Sequence, residues 1–499
     1  MKACLTVNKG FTIGKIDRRI YGSFVEHLGR CVYGGIYDPG QESANEQGFR
    51  EDVLQLVKEL HIPFVRYPGG NFVSGYNWED GTGNKAKRPR KLDLAWRSVE
   101  TNEVGIDEFQ AWAKSAGANI GMTVNLGTRG LADAVNLLEY CNGRTDTHYA
   151  ALRRQNGFED PFNIKTWFLG NEMDGAWQLG RKTAEEYARL AAETAKAMKL
   201  TDPDIQLVVC GSCGHRRPEF GHWDLKVLEQ TYDYIDYISI HQFIGNKEND
   251  IARFLGKSVT MDRFIKTVAA FCDTVKGIRH SDKTVYISFD EWNVWYRSAN
   301  AMDGHWQTAP ALLEEPYSFA DALVVGCMLM TLQNNCDRVK LACMAQLVNV
   351  LAPIMTETGG KAWVQTIYWP LFYASRYGNG EALRPVVHCD SYRITDGARP
   401  PITNEDVPYL ETSVIHNADA RELVVFAVNR SLDEDMELVP DLQGFGDLAL
   451  TEHIELHHDD LDAANTKDIQ PVRPANRPVD RNAPIILKKH SWNMLRFSC

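Results

Sequence analysis

Short apolar runs alternate with stretches of helical periodicity through the first three quarters of the chain. The runs are IYGSFVEH (20–27), PFVRYPGG (63–70), IGMTVNLG (120–127), IKTWFLGNE (164–172), IQLVVCG (205–211), YIDYISIHQF (234–243), TVYISFDEW (284–292) and RVKLACMAQL (338–347). They are near-continuously apolar and rich in β-branched and aromatic residues, which marks strands covered on both faces. Between them, REDVLQLVKELH (50–61), TAEEYARLAAETAKAMKL (183–200) and ADALVVGCMLMTLQ (320–333) read as helices. Eight alternating units of this kind predict an α/β fold closed as a (β/α)8 TIM barrel. A doubly wound open sheet is the alternative, but neither GxGxxG nor GxxxxGK[ST] follows an early strand.

The texture changes after about residue 376. Helical periodicity fades, and YLETSVIHNADARELVVFAVNRS (409–431) reads as two strands around a turn. Pro, Asn and Asp then punctuate short segments to the end, the pattern of an all-β, jelly-roll-like sandwich. The opening ACLTVNKGFTIGKI alternates in the same way. The expected organisation is therefore N-terminal strands over 1–18 that join the C-terminal sandwich, a catalytic barrel over 19–375, and the sandwich over 376–499.

Composition narrows the partners. A length of 499 residues, with 44% apolar and 24% charged positions, is that of a globular protein large enough for two cores. The net charge of −12 argues against nucleic acid and against anionic membrane surfaces, and it suits a neutral substrate. No apolar run reaches membrane-spanning length, and the N-terminus lacks the pattern of a secretory signal, so a cytoplasmic location is expected. The 11 cysteines are scattered and read as reduced core residues. Cys210 and Cys213 form the one close pair, half of a zinc site at most, with no second half in the sequence.

In such a barrel the chemistry stands at the C-terminal strand ends. Those ends carry Glu26 and His27, Arg66 with Gly69, Gly70 and Asn71, then Asn125, Asn171 with Glu172, His241, Asp290 to Asn293, and Gln346 with Asn349. Two carboxylates on two strands, Glu172 on the fourth and Glu291 on the seventh, are what glycoside cleavage needs: one protonates the leaving oxygen while the other attacks or activates water. At about 5 Å and an effective dielectric near 20, two such charges repel by roughly 3 kcal/mol, about two pKa units, which splits them into an acid and an anion. Glu26, Asn71, Asn171 and Gln346 are expected to touch the sugar, with hydrogen bonding to loops as the plainer role. His241 is expected beside it, or else as a satisfied core histidine. Asp290 should point to the other face of its strand and support structure. Trp96, Trp295 and Trp306 lie in strand-to-helix loops, where indoles stack on sugars or pack in the core.

The motifs YGSFVEHLGRCVYGGIYDP, VRYPGGNFVSGYNWEDG, WFLGNEMDG, YISIHQF and YISFDEWNVWY together resemble glycoside hydrolase family 51, the intracellular α-L-arabinofuranosidases of clan A. The resemblance runs from the first strand into the sandwich. It implies a retaining, exo-acting enzyme that takes arabinose from neutral oligo- or polysaccharides such as arabinan or arabinoxylan. It implies Glu172 as acid/base and Glu291 as nucleophile, in a pocket of Glu26, Arg66, Asn71, Asn171 and Gln346, with Trp96 and Trp295 near the substrate. It also implies no cofactor or metal and a homo-oligomer, commonly a hexamer. One position departs: where the family usually has a tyrosine that donates to the nucleophile, this chain has Phe243. Three rivals stand beside this reading. They are a β-xylosidase or endoglucanase on the same barrel, a metal-dependent barrel lyase or isomerase, and a non-catalytic sugar-binding protein.

Overall fold

The structure of the protein, a computed structural model, describes residues 1–296, 303–395, 404–480 and 482–498; the expected sandwich range thus includes positions outside them. Eight parallel strands close into a barrel, each pairing with the next in chain order: β1 (Gly22–Phe24), β2 (Phe64–Tyr67), β3 (Asn119–Val124), β4 (Thr166–Leu169), β5 (Gln206–Cys210), β6 (Tyr237–Ile244), β7 (Tyr286–Val294) and β8 (Val339–Met344). Each lies inside one of the apolar runs or runs past its end by a residue or two. The (β/α)8 expectation holds, and the open sheet does not.

An outer helix follows each strand: α1 (Glu51–Glu59), α2 (Ile106–Ala116), α3 (Leu131–Asn142), α4 (Ala184–Thr201), α5 (His222–Thr231), α6 (Ser258–Ile278), α7 (Phe319–Asn334) and α8 (Tyr368–Tyr377). Their starts are set locally. Thr183 and Glu186 form a reciprocal cap at α4, satisfying two backbone N–H groups that have no partner within the helix. Helix α7 is apolar all round because it has no solvent face: one side covers β7 and the other receives sandwich strands. A Cβ on its Gly326 would stand 2.4 Å from Trp492, so only glycine admits the strand Ser491–Ser498 this close.

The sandwich is a four-stranded and a seven-stranded sheet. Lys2–Asn8 runs parallel to Met436–Gln443 in the smaller sheet, and Thr12–Lys15 pairs with Glu381–Leu383 in the larger. Ala3, Leu5 and Val7 pack with Val414, Val425 and Leu495 between the sheets.

What positions the site is the barrel interior. Phe24, Phe64, Phe168, Val208, Leu341 and Cys343 form an apolar layer of their own, separate from the outer core. Gly121 leaves room for it, since a Cβ there would meet Phe64 at 2.2 Å. Anything polar above this floor is shielded from water and must find its partners within the barrel.

Candidate active site

The seventh strand breaks its alternation where the chemistry begins. Ser239 pairs with Ser288 and His241 with Glu291, so two residues of β6 oppose three of β7; the β7–β8 ladder skips at the same place. This bulge turns Asp290 and Glu291, which are adjacent in sequence, both into the barrel. The expectation that Asp290 faces the opposite side is therefore corrected. It is fully buried, accepts a hydrogen bond from Ser239 Oγ at 2.6 Å, and stands 3.3 Å from Arg66 Nε.

At β4 the chain leaves the sheet through Gly170, φ +86°, and reaches Glu172 at φ +44°. A left-handed conformation costs a non-glycine residue about 1 kcal/mol, and here it aims Glu172 across the mouth. Its Oε1 lies 2.9 Å from His241 Nδ1, and its Oε2 accepts from Trp177 Nε1 at 2.7 Å. Glu291 Oε1 accepts from Arg66 at 2.8 Å, and His241 Nδ1 stands 3.6 Å from its Oε2. One oxygen of each carboxylate and one ring nitrogen of His241 all fall within 4.8 Å of one another.

Arg66 is the hub. Its guanidinium lies over Phe24 and Phe168, at 4.8 and 5.0 Å, directly on the apolar floor. From there it donates to Glu291 and, at 2.6 Å, to Asn171 Oδ1; Asn171 in turn donates to Asn71 at 3.3 Å. Glu26 accepts from the Phe72 backbone N–H, from Trp96 Nε1 and from Gln346 Nε2. The glycine pair of YPGG is needed because these side chains fill the space. A Cβ on Gly69 would meet Glu26 at 2.7 Å, and one on Gly70 would meet Glu291 Oε1 at 2.9 Å.

Burial governs the protonation states, and partners modify it. Burial pushes Glu26 up to about 8, against the lowering by the Phe72 N–H. Burial also pushes both central carboxyls up. At Glu172 the hydrogen bond and charge of His241 outweigh it and the pKa falls; at Glu291 burial prevails and the pKa rises. His241 is raised to about 9, because the Glu291 charge and the Glu172 hydrogen bond overcome its own burial. The three groups therefore titrate as one unit. The 2.9 Å contact between Glu172 Oε1 and His241 Nδ1 holds one proton, as O⁻···H–N in one form and O–H···N in the other.

Glu26, Arg66, Asn71, Asn171, Glu172, His241, Glu291 and Gln346 thus converge on one mouth. Other expectations are revised. His241 is committed on both nitrogens, to Glu172 and to Ser239 at 3.2 Å, rather than left facing a sugar. Trp96 is buried and serves Glu26 instead of offering a stacking face. Phe243 packs edge-on against Trp295, 5.2 Å between ring centres, and Trp306 lies at the surface beneath the Arg97 guanidinium. Asn125 and Asn349 tie loop backbone and do not join the site. Trp177 was not anticipated: half exposed, it holds Glu172 while Arg217 covers its ring at 5.1 Å. Its only sequence signal is an aromatic five residues beyond Glu172, which needs the turn to be meaningful.

The Cys213 thiol donates to Asp174 and the Cys210 thiol to Leu169 O, so neither cysteine joins a ligand set. Among the described residues, Glu172, His241 and Glu291 are the one trio close enough to ligate a metal. The Arg66 guanidinium bonded to Glu291 opposes a cation there by charge.

Known proteins match this geometry and sequence. The family model described as Alpha-L-arabinofuranosidase 1 domain matches residues 56–252, and the Alpha-L-arabinofuranosidase C-terminal domain matches residues 290–491. An intracellular exo-α-(1→5)-L-arabinofuranosidase of Acetivibrio thermocellus is 52% identical, over 99% of both chains. An exo-α-(1→6)-L-arabinofuranosidase of Bifidobacterium longum is 46% identical, over 93% of this chain and 90% of that one. Among solved structures, a family 51 α-L-arabinofuranosidase from Bifidobacterium longum superposes with a TM-score of 0.94 at 42% identity, covering 99% of both chains. An α-L-arabinofuranosidase from Thermotoga maritima, solved with arabinose, gives 0.89 at 35% identity and the same coverage.

Proposed function

The chain belongs to the α-L-arabinofuranosidases of glycoside hydrolase family 51, and from that premise we propose that Glu291 is its nucleophile and Glu172 its acid/base. The enzyme is an exo-acting, retaining glycoside hydrolase that releases terminal α-L-arabinofuranosyl residues. The observation that carries the residue assignment is the approach of the two carboxylates to within 4.8 Å, with Arg66 on one and a shared proton on the other. Inverting enzymes hold the pair some ~6.5–9.5 Å apart to admit a water, and retaining ones about 5 Å.

Glu291 attacks the anomeric carbon while Glu172 protonates the departing oxygen; in the second step Glu172 takes a proton from water, which cleaves the ester. Glu26, Asn71, Asn171 and Gln346 hold the furanose hydroxyls. Linear α-1,5-linked arabino-oligosaccharides are the proposed substrates, since relatives at 50–52% identity carry that linkage in their names. The same names support an intracellular setting, where short oligosaccharides are available, and the family resemblance supports a homo-oligomer. The test is a panel of α-1,5- and α-1,6-arabino-oligosaccharides, an aryl xyloside and a soluble glucan, with proton NMR of the first-formed product. Arabinose should appear first as its α-anomer and fastest from the 1,5-linked series. A β-anomer, or faster cleavage of the xyloside, overturns the reading.

Phe243 makes a second prediction. It follows His241 by two positions on β6 and so shares its inward face. Among the described residues, Glu291 receives one hydrogen bond, from Arg66. Phe243→Tyr adds a donor, which favours the ionised nucleophile and is worth about 1.5–3 kcal/mol if well placed. The acidic limb of kcat/KM should move to lower pH by about one unit or more. An unmoved limb would mean that the new hydroxyl does not reach Glu291.

A further inference from the structure

We infer that Ser239 and Asp290, which touch no substrate, are positioning residues that fix the tautomer of His241 and thereby set the working pKa of Glu172. The inference rests on the assignment of Glu172 as acid/base and explains how that role is sustained beside a histidine. The argument is one of donors and acceptors. Asp290 is fully buried, with Arg66 Nε 3.3 Å from its Oδ2, and a carboxylate set against a guanidinium offers only acceptors. Ser239 Oγ stands 2.6 Å from Asp290 Oδ1 and must spend its one proton there. That leaves only a lone pair for His241 Nε2 at 3.2 Å, so Nε2 carries a hydrogen in every protonation state.

The other nitrogen, Nδ1, is then free to change. It accepts from Glu172 when the carboxyl is protonated, and it donates to Glu172 when the carboxyl is ionised, over the same 2.9 Å. A general acid that becomes a general base within one turnover needs a neighbour that suits both forms. Without the Ser239 hydroxyl, the neutral ring can instead carry its hydrogen on Nδ1. That tautomer donates to the carboxylate alone, lowers the Glu172 pKa and empties the acid form at lower pH.

Charged and titratable groups face this pair from every side of the barrel. Arg66 from β2, Asp290 and Glu291 from β7, Glu26 from β1, Cys343 from β8, and Asp174 and Cys213 beyond β4 and β5 supply the surrounding charge and titratable groups. Among these groups none but Asp290 approaches Nε2. The bulge of β7 supplies the geometric reason: it turns Asp290 inward beneath His241, where regular alternation would have turned it out.

The experiment compares pH profiles of kcat/KM for wild type, Ser239→Ala and Ser239→Thr. One substrate has an alkyl leaving group that requires the acid, and the other a dinitrophenyl group that does not. Ser239→Ala should move the alkaline limb down by about one pH unit on the alkyl substrate only, and Ser239→Thr should restore it. Nitrogen-15 NMR of the histidines should show Nε2 of His241 protonated in wild type and a mixture of tautomers in Ser239→Ala. An unmoved alkaline limb, or an equal change on both substrates, overturns the proposal. Glu172→Gln is the control for the underlying assignment. If that variant keeps activity on the alkyl substrate, the acid/base assignment fails; if it loses activity while Ser239→Ala leaves the limb in place, only the relay fails.

Discussion

Replacing Glu291 by alanine is expected to cut turnover by on the order of 10⁴-fold or more, because the step that forms the glycosyl-enzyme ester then has no nucleophile. The cavity left behind is lined by Arg66 and by the bare α-carbon of Gly70, a place suited to a small anion. Azide should enter there and attack the anomeric carbon from the side that Glu291 occupied. The product is a glycosyl azide of inverted configuration, since only one displacement occurs. The configuration decides the assignment. If Glu291 were instead the acid/base, azide would intercept the ester formed on the other carboxylate and give a retained product. Product NMR of the azide reaction separates the two cases.

Glu172→Ala is the complementary experiment, and its effect depends on what is cleaved. Alkyl and sugar leaving groups need a proton, so their kcat/KM should fall by about 10²–10⁴-fold. Dinitrophenolate leaves without help, and its first step should be nearly unaffected. The second step still lacks its base, so the ester accumulates and a burst of phenolate precedes a slow steady state. Stopped-flow absorbance reads both phases. Equal loss on both leaving groups would remove Glu172 from the acid/base role and point to a failure of binding. The variant also frees the Trp177 indole and His241 Nδ1, each of which bonds Glu172 in the native site. On the alkyl substrate a modest rise in KM is therefore expected beside the loss in kcat, whereas on the dinitrophenyl substrate KM falls with kcat as the ester accumulates.

The fold was legible because its signal is local and repeated. Near-continuous apolar runs separated by amphipathic helices have few stable arrangements other than a parallel sheet with helices outside it. The polar residues that end those runs mark the barrel mouth where the structure brings them together: Glu172 and Glu291 stand out because carboxylates are costly at the end of a buried strand unless used. Arg66, Asn171 and Gln346 stand at strand ends by the same rule and lie at the same mouth. The rule over-counted at Asn125 and Asn349, whose amides satisfy loop backbone instead. Strand ends also carry capping groups, and position alone does not separate the two uses.

The sequence by itself therefore determined the strand–helix rhythm, the family and the two carboxylates proposed to react. Each of these depends on which residue stands at which step of a short repeat. Tertiary structure alone decided which groups meet across the barrel. The extra residue in β7 is invisible in the alternation of the sequence, yet it turns Asp290 inward beneath His241. Trp177 gains its partner only once Gly170 and Glu172 enter the left-handed region and bend the chain. The protonation order of Glu172, His241 and Glu291 follows from distances of a few ångströms between residues about 50 to 120 positions apart. Electrostatic energy falls with distance in space and not along the chain, so no local reading of the sequence can supply it.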